Sequence, residues 1–91
     1  MAQRNAINVD RVPEHMQAGA RAYVEEGKPP GGFLMAVLCN DLMGAFSRAD
    51  GANEAHMKEW TMWLFNDAPS SCWGDEETVR EWVESCGLNG R

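Results

Sequence analysis

Lys28-Pro29-Pro30-Gly31-Gly32-Phe33-Leu34 decides how this chain is divided. A proline ring fixes φ and removes a backbone donor, so a helix arriving from the N-terminal side cannot continue through Pro29-Pro30. Two glycines then give the backbone freedom to turn. The apolar run from Phe33 onward reads as a new helix. The stretch is therefore a helix-to-helix junction, with unpaired amide groups beside the Lys28 ammonium. Such a junction can hold an anion, or it can serve only as a turn.

Working outward, Pro13 fits the first position of a helix and Glu14 suits the positive end of its dipole. The spacing of Met16, Ala20, Tyr23 and Val24 predicts one buried face on a helix ending near Glu26, and Gly27 is a natural stop. Residues 1–11 read as a flexible leader whose Ile7 and Val9 can lie down on the body. Beyond the junction, Phe33, Leu34, Val37, Leu38, Leu42, Ala45 and Phe46 keep the i, i+3, i+4, i+7 rhythm of one helix from Gly32 to Arg48. Met35, Cys39 and Met43 add a second apolar row. So broad an apolar surface predicts a central helix or a subunit contact. Gly44, costly inside a helix, suggests close approach of another backbone there.

Asp50-Gly51 interrupts the pattern, and Asn53 can cap a third helix reaching Asn66. Its expected inner stripe is Met57, Trp60 and Leu64 with Ala55, Thr61 and Phe65; Trp63 falls toward the other side. Residues 68–74 form a loop, marked by Pro69, two serines and Gly74. Asp75 caps a fourth helix, with Glu76 and Glu77 in its first turn. Val79, Trp82, Val83 and Cys86 give that helix its apolar face, and Gly87-Leu88 ends it. No segment alternates with period two. The reading is all-α: a compact bundle or array of about four helices forming a single domain over residues 12–91.

Composition narrows the function. Fourteen acids against eight bases leave a net charge of −6, which argues against a nucleic acid partner, because phosphate contacts need a clustered basic surface. No apolar run approaches the 18 or so residues of a membrane span, and no secretory leader is visible, so a cytoplasmic location is expected. Cys39, Cys72 and Cys86 include no C-x-x-C pair and read as small apolar residues rather than disulfides or metal ligands. His15 and His56 fall on solvent-side positions, and no catalytic motif accompanies them. The expectation is a protein with no catalytic residues, no metal and no cofactor.

Three groups stand out as candidate binding residues. The junction contributes Lys28, Gly31, Gly32 and Phe33, since amide groups at a helix start favour a phosphate or carboxylate. Asn40 and Asp41 sit in an otherwise apolar run, and Arg48 lies two turns beyond on the same side; they read as a buried Asp–Arg pair, as contacts to a polar ligand, or as a solvated stripe. Trp73 in its loop and Tyr23 near the junction can stack on a base or anchor a partner, or simply cover the core.

The motif Pro29-Pro30-Gly31-Gly32-Phe33-Leu34-Met35-Ala36-Val37-Leu38-Cys39-Asn40-Asp41-Leu42 resembles a family of small accessory proteins of tailed bacteriophages and bacterial prophages. The likeness continues through Arg48-Ala49-Asp50, Ala68-Pro69, Cys72, Trp73-Gly74 and Trp82, covering residues 12–88. What it implies is a setting: a small acidic phage protein that counters host immunity. One expectation is an oligomeric sponge that sequesters a nucleotide immune signal. The other is an inhibitor or regulator that docks on a host defence protein through an acidic or apolar helical face.

Overall fold

The computed structural model describes residues 7–90 and is helical throughout, with no strand among them. Six α-helices follow one another: α1 (Glu14–Glu26), α2 (Gly32–Leu38), α3 (Leu42–Arg48), α4 (Gly51–Ala55), α5 (Met57–Asn66) and α6 (Glu76–Glu84). Two 3-10 turns, Ser70–Cys72 and Leu88–Gly90, complete the array. The Cα envelope is a slab of 36 × 29 × 19 Å.

The four expected helices become six because two of them break. The run from Gly32 to Arg48 stops at Leu38. Asn40 adopts φ 63°, a left-handed conformation that Asn tolerates, and the Asp41 N–H returns to the Ala36 carbonyl at 2.8 Å. Asp41 then caps α3, accepting from the Gly44 N–H at 2.9 Å. Gly44 therefore lies in the first turn of a new helix, and the Asp41 carboxylate occupies the space where its Cβ would be. The third expected helix splits at His56 into α4 and α5. Asp50, not Asn53, is the cap of α4, accepting from the Asn53 N–H at 2.8 Å. Asp75 caps α6 as expected, accepting from the Thr78 N–H at 2.8 Å.

Three tryptophans fill the centre. Trp60, Trp63 and Trp82 are all sealed from solvent, so Trp63 faces inward where the helical spacing pointed it outward. Trp60 meets Phe33 and Trp63 edge-on, with ring centroids 5.4 and 5.7 Å apart. Each indole N–H is satisfied: Trp60 donates to Asn53 Oδ1, Trp63 to the Asn8 carbonyl and Trp82 to the Tyr23 carbonyl. Around them pack Ala20, Tyr23 and Val24 of α1, Leu34 and Leu38 of α2, and Val79 of α6.

Of the expected leader, residues 1–6 lie outside the described residues. Residues 7–11 are pinned rather than frayed. Ile7 and Val9 are buried, the Ile7 N–H donates to Glu25 Oε2 at 3.0 Å, and Arg11 pairs with Asp67 at 2.8 Å. At the far end, α1 stops on Gly27 (φ 71°) directly against Gly87 (φ 68°). A Cβ on either would stand 2.6–2.7 Å from the other's backbone nitrogen, so the two turns touch main chain to main chain.

Candidate functional site

The junction opens into a cleft. Beyond the break at Pro29-Pro30, residues of α2 and of α6 line the two sides of a cavity of about 800 Å³. Its walls are apolar where Ala36 and Val79 are buried and Met35 and Val83 half-buried. Pro29 and Gly32 form the junction side. The size falls within the ~300–1,000 Å³ common for small-ligand sites, and apolar walls with few convergent polar groups are their usual make-up.

Charge is unevenly spread over the rim. Arg48 of α3 folds back so that its side chain lies over Gly32, whose Cβ would stand 3.1 Å from Arg48 Cδ. Its Nη1 donates to the Gly44 carbonyl at 3.3 Å, and among the described residues it forms no ion pair. Arg80 on the opposite side is shared with Glu84 at 3.6 Å. Glu76 and Glu77 of α6 line the same cleft. Cys39 also faces it: burial, then the carboxylates of Glu76, Asp41 and Asp75, push its thiol up, so it stays protonated at neutral pH. Arg48 thus brings a positive charge to one edge, beside the Asp41 carboxylate, while the lining as a whole carries Asp41, Glu76, Glu77 and Glu84 against Arg48 and Arg80.

The residues expected to bind are only partly brought together. Gly32, Asp41 and Arg48 line the cleft. Lys28 is exposed and pairs with Glu26 at 3.3 Å, outside the lining, and Gly31 is exposed beside it. Tyr23 is sealed in the core with its hydroxyl committed to the Cys72 carbonyl, so it cannot stack on a ligand. Phe33 is likewise a core residue, packed on Trp60. Asn40 is the exposed left-handed residue that ends α2. The buried Asp41–Arg48 pair does not form; both side chains are exposed, and each is held by a peptide group of Gly44. Trp73 leans edge-on against Phe65 at 6.0 Å and is absent from the cleft lining.

Sequence reasoning missed the α6 wall, Glu76, Val79, Arg80 and Val83. Their periodicity marked a helix with one apolar face, but only tertiary structure shows that this face is shared between core and cleft. Among the described residues no three His, Cys, Asp or Glu side chains cluster as metal ligands, and no helix is long and apolar enough to cross a membrane. His15 is exposed and meets Asp50 at 2.9 Å; His56 is exposed on the surface turn between α4 and α5. No family model, curated protein or solved structure matches this chain.

Proposed function

We propose that this protein is a non-enzymatic binding protein whose α2–α6 cleft takes a nucleotide-class small molecule. The observation that carries the reading is Arg48, a guanidinium that forms no ion pair among the described residues and is laid over Gly32 at the edge of a largely apolar cleft of small-ligand size. A guanidinium presents its N–H donors in a planar fork matched to phosphate oxygens. Met35 and Val83 give a flat ring an apolar surface to rest on. Glu76 and Glu77 supply acceptors for the N–H groups on the edge of a base. A ligand anionic at one end and donor-rich at the other satisfies both halves of the rim.

In the setting that the phage resemblance implies, such a protein would work by stoichiometry. It holds a nucleotide immune signal in the host cytoplasm and keeps it from its receptor. Thermal shift and calorimetry against a panel of linear and cyclic nucleotides test this directly. Ligand at 100 times its dissociation constant stabilises the folded state by about 2.7 kcal/mol. No shift with any nucleotide near millimolar concentration overturns the reading. The rival, an inhibitor docked on a host defence protein, draws its support from apolar side chains exposed on α3 and α5. It predicts one stoichiometric host protein captured from lysate, indifferent to added nucleotide.

A further inference from the structure

A second surface lies apart from the cleft walls. Leu42 and Met43 of α3 are 64% and 80% exposed, and Phe65 of α5 is 72% exposed. Phe46 and Met62 are exposed to a lesser degree on the same two helices. The helices adjoin: Leu42 and Thr61 line one shallow groove between them, and Phe65 stands one turn beyond Thr61 on the same side of α5. At on the order of 200 Å² for each large side chain when free, these five leave about 600 Å² of apolar surface in water, the upper end for a patch on a monomer.

We propose that this face is covered by a second copy of the same chain, α3 and α5 of one protomer packing on α3 and α5 of its partner. Two observations select that occupant. The first is area. A two-fold pairing of the face hides about 1,200 Å² in total, the lower bound for a specific, stable interface. The second is charge. Apart from Asp41 and Arg48, which line the cleft and cancel each other, the charged residues of α3 and α5 are Lys58 and Glu59, which also sum to zero. The chain's −6 is carried elsewhere, so two acidic copies meet here with the least repulsion. A nucleic acid or an anionic membrane would need a cationic face, which this is not. A two-fold arrangement is also self-complementary, since each apolar row meets the other copy's equivalent.

Sedimentation velocity and light scattering on the full chain, from low micromolar to about 100 μM, read the outcome, since a micromolar interface fills over that range. The wild-type chain is expected to pass from monomer to dimer. Phe65→Glu and Met43→Glu, on different helices, should each weaken the dimer at least tenfold while leaving circular dichroism unchanged, because both side chains are exposed. Lys58→Glu should weaken it less, by adding like charge to a neutral face. A wild-type chain that stays monomeric at 100 μM overturns the proposal. So does a dimer indifferent to both glutamates, or a face that captures a host protein while the chain itself remains monomeric. Nucleotide binding need not follow either result, so the cleft and this face fail independently.

Discussion

The Tyr23 hydroxyl donates to the backbone carbonyl of Cys72 across 49 residues, at 2.6 Å and sealed from water. The Tyr23 carbonyl in turn accepts from the Trp82 indole at 3.1 Å. One residue of α1 thus ties down both the 3-10 turn before α6 and the last turn of α6 itself. These are the elements that hold the α6 wall of the cleft in place.

Tyr23→Phe keeps the ring and leaves the Cys72 carbonyl without its donor. A buried acceptor left unpaired costs about 1–3 kcal/mol. Urea denaturation should show that loss as a lower midpoint with an unchanged slope, because the surface exposed on unfolding is the same.

Gly27 and Gly87 make a harder prediction. Each has a positive φ, and each faces the other's backbone nitrogen at a distance no Cβ survives. An alanine at either position strains the backbone and forces α1 away from the turn after α6. The expected cost is above about 2 kcal/mol, beyond the usual surface substitution. Thermal melts of Gly87→Ala and of Gly31→Ala, which meets open space, should differ by several degrees.

The tryptophans divide by their hydrogen bonds. Trp60 donates to buried Asn53, so Trp60→Phe orphans a buried carbonyl and leaves a void in the core. Trp73 is the reverse case: its Nε1 is buried with no partner among the described residues. Removing that N–H recovers its desolvation cost of about 1–3 kcal/mol, which offsets the lost ring volume. Trp73→Phe should therefore unfold within about 1 kcal/mol of wild type and Trp60→Phe well below it.

These contrasts also show what the sequence could disclose. Helix content, the stop at Gly27 and the cap at Asp75 were legible because each rests on a local rule that the neighbours do not override. The break at Asn40-Asp41 was hidden by the apolar rhythm on either side of it. The rhythm continues because α2 and α3 both need apolar residues, not because they are one helix. An Asn able to turn left-handed followed by an Asp three residues before Gly44 was the available signal. Trp63 and Phe65 exchanged their expected sides because they flank the Met57, Trp60 and Leu64 stripe at nearly equal angles, so periodicity alone does not choose between them. The cleft was legible on its junction side only. Its other wall joins residues more than 40 positions away, and nothing local at Val79 or Arg80 announces the pairing.

Thiol chemistry offers a check on burial. Cys72 is sealed, and burial pushes its thiol from 9.0 up to about 12. Cys39 is half-buried with its thiol raised, while Cys86 is exposed. Alkylation near neutral pH should modify Cys86 first, Cys39 slowly and Cys72 only when the chain unfolds. Burial likewise raises the Tyr23 phenol far above 10.0. Both groups hold their protons more tightly when folded. Their contribution is intact below the unfolded-state values and is lost as pH rises from about 9 towards 12. In that window the folded state binds more protons, so stability should fall by on the order of 1 kcal/mol per pH unit. Denaturation midpoints measured at pH 8, 9 and 10 read that slope.

The cleft is tested most sharply at Arg48 and Gly32 together. Gly32→Ala places a methyl 3.1 Å from Arg48 Cδ, a contact that the flexible arginine relieves by swinging away. The fold should survive, because the atoms that must move belong to an exposed side chain. If the guanidinium over Gly32 holds a phosphate, that displacement weakens nucleotide binding without removing the charge. Arg48→Ala removes the charge as well and should cost more, about 1.5–3 kcal/mol for a charge-assisted hydrogen bond, or roughly ten- to a hundredfold in Kd. Lys28→Ala should do little, since its ammonium sits outside the cleft against Glu26. Calorimetry on the three variants orders them as Arg48→Ala weakest, Gly32→Ala intermediate and Lys28→Ala near wild type. A Lys28 effect equal to that of Arg48 would move the anion out of the cleft and onto the exposed junction amides.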